Sequence, residues 1–345
     1  MSRLLLRPLR TEPFPWEYSK SLWLAIWGVW DSGWYLDIAK FGYSTARRSG
    51  PEILNQANYA FFPLYPLSMR ALGPLFGGPF NAGLVVSNVC LVVACFALLR
   101  LVRSRHGDRV ARRAVKYFVL FPTAFILSGV FSESLFLALS ILAFCWVAED
   151  RLWPAATAAF LASLTRSVGV LLVIPLVLEY WNRRRVLQLP LERRGLALFL
   201  APLGFVAFGA YNYFLTGDSL AFIRIQSSWN RGLHSPLSVL ASGLVHPDVN
   251  KSFSAWMTLL VLGFLLAFVR RVGFPFAVLS LLLIAVPLAT GLDSMPRYLL
   301  AVFPVPILLA TLARKPLVDD AVTGAFAILQ GCLMVFWASG FKLVV

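Results

Sequence analysis

Long apolar runs, broken by short polar clusters, fill most of this chain. A helix that crosses a bilayer takes about 20 mostly apolar residues, within a range of roughly 17–25. Runs of this kind predict helices over 80–102, 114–131, 133–149, 153–169, 170–182, 195–214, 254–270, 273–292, 297–313 and 320–340. Several are short, 153–182 above all, and are expected to be tilted, broken or re-entrant. The stretch 21–30 is apolar but short for a span, and counting back to Pro15 adds a first helix. The expected fold is all-α: a polytopic transmembrane bundle of ten or eleven helices in a single domain, 1–345. Two longer polar loops interrupt it, at 31–79 and 215–253, and the first should contain short amphipathic helices.

Composition agrees with that pattern. The chain is 59% hydrophobic and 14% charged, where soluble domains carry about 25% charged residues. The net charge of +15 would suggest nucleic acid in a soluble protein, but its placement argues otherwise. Arg100 to Lys116 holds seven basic residues and Arg183 to Arg194 holds five. With Arg151, the Arg270–Arg271 and Arg314–Lys315 pairs and three in the first ten residues, these make 20 of the 31 Lys and Arg. Threading the helices alternately puts all of them on one side, which the positive-inside rule assigns to the cytoplasm. The charge is therefore read as topology, with the membrane and not nucleic acid as partner. A multi-pass protein of the cell membrane is expected, or of the endoplasmic reticulum if the source is eukaryotic. The N-terminus lacks the apolar core and small-residue site of a cleavable signal peptide. Cys90, Cys95, Cys145 and Cys332 lie in apolar runs and read as small packing residues.

The other side, extracytoplasmic by this threading, collects a different set. It receives both long loops, Ser132-Glu133-Ser134, Arg166-Ser167 and the segment from Asp293 to Tyr298. It therefore holds most carboxylates able to do chemistry: Asp31, Asp37, Glu52, Glu133, Asp218, Asp248 and Asp293. Trp23, Trp27, Trp30 and Trp34 recur at helical spacing, as in an interfacial aromatic belt. A helix lying flat there would bury Trp30, Trp34 and Ile38 and raise Asp31 and Tyr35 toward water. Asp31 fits either an N-cap or a catalytic carboxylate, and Asp37 fits either a site residue or a solvated one. Asn58 to Pro66, NYAFFPLYP, reads as a rigid turn or as a wall against a sugar or lipid.

Charges among apolar runs are costly, at least about 2.5–3.5 kcal/mol at a span's centre. Glu133, in VFSESLFLAL, is thus a helix start capped by Ser132 or a residue facing a cavity. Arg166 and Arg297 sit on the side that the charge bias disfavours. Each wants an anion, either a carboxylate such as Glu133 or a lipid phosphate. His106, His234 and His246 do not cluster, and no H-x-x-x-H, C-x-x-C or D-x-D triplet occurs. A tightly held metal thus lacks sequence support, and whether a divalent cation is needed stays open. No P-loop or dinucleotide-binding fingerprint is present.

Together the motifs resemble a known family. WDSGWYLDIAKFGY and NYAFFPLYPL are similar to the signatures of the second mannosyltransferase of GPI-anchor assembly and its prokaryotic relatives. FPTAFILSGVFSESLF, LTRSVG and PRYLLAVFP resemble later motifs of that family, in order, with Phe131 where the family often has Tyr. The family belongs to the GT-C integral-membrane glycosyltransferases. The resemblance implies a lipid-linked donor, polyprenyl-phosphate mannose, a lipid- or glycan-linked hydroxyl acceptor, and an acidic residue of the first outer loop at the active site. Carried over, Asp31 becomes the catalytic base. Trp30, Trp34, Tyr35, Asp37, Asn58, Phe62 and Tyr65 are the expected substrate-binding set from the first loop. Glu133, Arg166, Arg297 and Tyr298 complete that set. The rival reading is a transporter or lipid flippase, which should show paired broken helices in two similar halves; the sequence has no internal repeat.

Overall fold

The structure, a computed structural model, describes residues 18–45, 56–341 and 343–344. The candidate Glu52, the basic N-terminal residues and the start of the expected first helix lie outside them. From Ser21 to Trp30 the only helix is one turn, Leu22–Ala25.

The helices of nine or more residues are numbered α1 to α13 in chain order. The first loop carries α1 (Ser32–Phe41) and α2 (Leu64–Leu72). Then come α3 (Pro79–His106), α4 (Asp108–Leu120), α5 (Glu133–Ala148), α6 (Leu152–Ser163), α7 (Val173–Val186) and α8 (Ala201–Thr216). The rest are α9 (Pro236–Leu244), α10 (Val249–Ala267), α11 (Phe274–Leu288), α12 (Pro304–Leu312) and α13 (Pro316–Ala338). No strand occurs among the described residues.

Among the described residues four helical stretches are long and apolar enough to cross a membrane: α3, Arg193–Thr216, α10 and α13. Met295–Ala301 with α12, bent by 72°, makes a fifth if counted as one span. Three apolar helices, α5, α6 and α11, have only 10–17 residues. The apolar runs therefore do not convert one for one into straight spans, and proline is one reason. Pro122 ends α4 early, because proline disfavours helix in the residue before it. Phe121 turns extended (φ −51°, ψ 138°) and a 3-10 turn follows at Ala124–Ser128, so the helix expected over 114–131 is broken. The expected 297–313 helix is broken at Val302 (φ −83°, ψ 62°), and Pro304 opens the next helix at its first position, where proline is favoured. Such bends are tolerated inside a bundle, where neighbours re-satisfy the freed backbone groups.

α3 sets the frame. Pro79 opens it and Gly107, at φ 82°, closes it; its 28 residues run about 42 Å. It packs along α4 and α5, α5 packs on α6, and α6 packs on α8. The last contact is close because α6 buries Ala155, Ala156, Ala158, Ala159 and Ala162. Opposite lies Gly204, where a Cβ would meet the Phe160 carbonyl at 2.5 Å. Small residues at such crossings let helix backbones approach. Trp337 is the largest fully buried side chain; Phe125, Phe131 and Trp30 surround it, and its Nε1 donates to the Ile26 carbonyl at 2.7 Å.

The two ends of the bundle differ in charge. α5 starts at Glu133 and ends next to Glu149 and Asp150. At that far end basic side chains are ion-paired: Arg100 with Glu149, Arg105 with Glu179, and Arg184 and Arg194 with Asp150. At the near end α5, the α6–α7 break and the Met295–Tyr298 turn converge.

Candidate active site

The near end is built from three interruptions of helix. Trp30 takes a left-handed backbone (φ 46°), rare for a bulky residue and costing on the order of 1–3 kcal/mol. Its ring, edge-on to Trp337 at 4.9 Å, and the bond from the Ser32 hydroxyl to the Val130 carbonyl (2.9 Å) hold that turn. Asp31 follows, at the N-cap position of α1, but its carboxylate caps no backbone N–H. It faces Arg297 instead, with Oδ2 at 2.6 Å from Nη1. Arg297 also comes from a short helical turn that follows a left-handed residue, Ser294 at φ 65°. The Thr123 hydroxyl pins that turn by donating to the Pro296 carbonyl at 3.1 Å. The third break is Arg166, extended (φ −151°, ψ 148°) between α6 and the 3-10 turn Ser167–Leu172. There the Leu64 amide donates to the Leu164 carbonyl at 2.9 Å, tying the first loop to the break.

Glu133 links the two arginines. Its Oε1 accepts from Arg166 Nη1 and lies 3.2 Å from Arg297 Nε. The result is a chain of alternating charge, Asp31–Arg297–Glu133–Arg166. Arg166 Nη1 also reaches the Ser132 hydroxyl, which shares a 2.9 Å hydrogen bond with the Tyr35 phenol. Burial, helped by the nearby Glu133 and Asp31 charges, pushes the Tyr35 phenol up well above its usual range, so it stays protonated.

This charge chain forms part of the wall of a cavity of about 370 Å³, a size typical of small-molecule sites. Asp31, Arg166, Arg297 and a third arginine, Arg231, bring charge to it. Tyr35, Phe62, Trp229 and Tyr298 bring rings, and an apolar flank runs past Val170, Leu171, Ile223, Val286 and Pro287. All three arginines lie over the Tyr298 ring, at 5.3 Å (Arg166), 5.6 Å (Arg297) and 5.8 Å (Arg231) from its centroid. Among the described residues no three His, Cys, Asp or Glu side chains gather as a metal site.

Of the residues expected from sequence, the cavity brings together Asp31, Tyr35, Phe62, Arg166, Arg297 and Tyr298. The others stand behind it. Glu133 is buried beneath the arginines. Trp30 packs on Trp337, and Trp34 stacks on Phe61 and meets Trp229 edge-on. Asp37 is fully buried rather than solvated, accepting from Asn58 Nδ2 at 2.7 Å. Asn58 also donates to the Gly42 carbonyl and accepts from the Ser44 amide, so the pair clasps the end of α1 to the NYAFFP turn. The Tyr65 phenol meets Ser87 at 2.8 Å and donates to the Gly83 carbonyl, anchoring α2 on α3. Sequence reasoning passed over Arg231, Gln226, Trp229 and Thr290. The argument that singled out Arg166 and Arg297, a cation on the disfavoured side, applies equally to Arg231 in SWNRGLH.

The family model described as Mannosyltransferase (PIG-V) matches residues 2–213. The chain belongs to this family. No curated protein matches the chain. Among solved structures it is similar to ArnT from Cupriavidus metallidurans bound to undecaprenyl phosphate, with a TM-score of 0.58 at 16% identity. That similarity covers 90% of this chain and 62% of ArnT, so the chain spans about three-fifths of the neighbour's length. It is also similar to the Archaeoglobus fulgidus oligosaccharyltransferase, at 12% identity and a TM-score of 0.46, over 99% of this chain and 54% of that one. The fold of this PIG-V family member is thus of the GT-C type, and the chain is a multi-pass membrane protein.

Proposed function

We propose that the protein is an inverting mannosyltransferase acting on the extracytoplasmic face of its membrane. It would take the sugar from a polyprenyl-phosphate donor and pass it to a hydroxyl on a lipid or glycan acceptor. The observation that carries this reading is the meeting of Asp31, Arg297 and Arg166 at one half-apolar cavity. A carboxylate suited to accept a proton stands beside guanidinium groups suited to bind a phosphate, next to an apolar flank suited to a prenyl chain. The bound lipid in the ArnT structure supports the donor class. The basic far end of the bundle supports the sidedness.

The acceptor oxygen attacks the anomeric carbon as the bond from that carbon to the phosphate oxygen breaks. Asp31 takes the acceptor's proton, and the bonding electron pair leaves with the phosphate. A positioned base contributes about 10²–10⁴-fold to such a step. The positive field of Arg297 and Arg166 favours the leaving phosphate, an effect worth more in a site shielded from bulk water. Glu133 holds both guanidinium groups in place, and Tyr35, Phe62 and Tyr298 shape the sugar site.

The test uses purified protein in lipid nanodiscs, with labelled polyprenyl-phosphate mannose and a membrane extract as acceptor source. Transfer of label is expected, and Asp31→Asn should lower kcat by about 10²–10⁴-fold with the donor KM little changed. Normal transfer by Asp31→Asn would remove Asp31 from the chemistry. Uptake of a solute into liposomes without any transfer would replace the enzyme with a transporter.

A further inference from the structure

We propose that Arg231 is the primary contact of this cavity for the donor's phosphate and for the leaving phosphate. This assignment rests on the reading of the cavity as a lipid-phosphate site, and it deepens that reading by naming the group that holds the anion.

The argument starts from charge. Three guanidinium groups surround Tyr298, and two carboxylates, Asp31 and Glu133, answer them. Arg297 is committed to both carboxylates and Arg166 to Glu133. Among the described residues Arg231 has neutral hydrogen-bond partners: Gln226 Oε1 at 3.3 Å from Nη1 and Ser294 Oγ at 3.4 Å from Nη2. Among the described residues no carboxylate lies within ion-pair distance of it. The surplus positive charge of the cavity is therefore Arg231. Both of its bonds are at the long end of the range, where hydrogen bonds are weak. An anion can take over these donors without breaking an ion pair, whereas Arg166 or Arg297 would first have to give up a carboxylate.

The position of Arg231 is also fixed in advance. Asn230 turns left-handed (φ 56°) at the end of the 3-10 segment Ile225–Trp229, and the Arg231 amide closes the turn onto the Gln226 carbonyl at 3.2 Å. Just beyond, the His234 amide donates to the Ala289 carbonyl at 2.8 Å, docking the loop on the end of α11. Just before, Gln56 Nε2 donates to the Ser228 carbonyl at 3.1 Å, docking it on the first loop. The Trp229 ring packs against Trp34 and Phe61. A planar guanidinium held on such a clamped loop can meet two phosphate oxygens at once. Negative charge on the phosphate grows as the sugar–phosphate bond breaks, so this contact strengthens toward the transition state and acts on kcat as well as KM.

The full-length chain in nanodiscs is titrated with radiolabelled undecaprenyl phosphate, with undecaprenol and with inorganic phosphate. Wild type is expected to favour the phosphorylated lipid over the alcohol by about tenfold or more, the effect of one or two charge-assisted hydrogen bonds. Arg231→Gln should lose most of that preference while binding the alcohol as before, and Arg231→Lys should keep part of it. A wild type with no preference for the phosphorylated lipid would sink the lipid-phosphate reading and the assignment with it. A clear wild-type preference that survives in Arg231→Gln would overturn the assignment alone. Inorganic phosphate binding as tightly as the lipid would sink the lipid-phosphate reading instead. An Arg231→Gln chain that fails to fold also counts against the assignment, because loss of two long bonds to neutral groups should not unfold the protein.

Discussion

The charge chain makes its sharpest prediction at Glu133. Its side chain is 4% exposed, and both arginines meet one oxygen, Oε1. The other oxygen, Oε2, is buried without a hydrogen-bond partner among the described residues. Glu133→Gln keeps the shape and removes the charge. At an effective dielectric of about 20, a charge pair 4 Å apart is worth roughly 4 kcal/mol before desolvation. Two such pairs are lost, the carboxylate's own desolvation penalty is relieved, and Arg297 keeps Asp31. Arg166 is left 13% exposed with no carboxylate among the described residues. Breaking one side of a buried pair costs about 3–5 kcal/mol, and the retained Asp31 places this case near 3. The second variant, Glu133→Gln with Arg166→Gln, removes a positive charge along with the negative one. It should recover part of the loss, with a coupling energy of about 1–3 kcal/mol. Reversible unfolding in mixed micelles, followed by tryptophan fluorescence, gives the four free energies of the cycle. A single variant as stable as wild type, or a double variant that loses the sum of both singles, would refute the claim that Glu133 is the buried hinge of the site.

Three further outcomes follow from the geometry. Gly169→Ala puts a Cβ 2.4 Å from the Ala162 carbonyl oxygen, a backbone atom of α6 that cannot give way; overpacking of about 1–3 kcal/mol is expected, with lower transfer activity because Arg166 lies three residues away. Asn58→Ala removes three hydrogen bonds around the buried Asp37 and should cost about 3 kcal/mol in the same unfolding assay while leaving the donor KM nearly unchanged. Tyr35→Phe bears on alkaline stability. Because the folded-state phenol titrates above its ordinary value of 10, its stabilisation is whole below pH 10 and drains away as pH rises toward the folded value. The variant should therefore lose stability less steeply above pH 10, and an unchanged slope there would contradict the burial argument.

How much of this was legible in the chain depends on whether the signal was local. The WDSGWYLDIAKFGY stretch showed an acidic residue at a helix start, and the structure has it; the expected helical tryptophan stripe is broken, because Trp27 and Trp30 lie in turns, and Tyr35, expected to face water, is buried. The notion that an arginine on the disfavoured side wants an anion predicted a partner for Arg166, and Glu133 supplies it. What stayed hidden is set by contacts between distant segments. Asp37 looks solvated in sequence because nothing local says that Asn58 will reach it across 21 positions. Pro122 and Pro304 announce breaks, but where the chain goes afterwards depends on packing such as the hydroxyl of Thr123 on Pro296. Arg231 is the instructive case. Its bias against the positive side was as readable as that of Arg166, yet its surplus charge could be recognised only after Asp31 and Glu133 had been assigned to the other two arginines. A site of this kind is found by subtraction: composition shows which charges are misplaced, and the fold shows which of them remain unanswered.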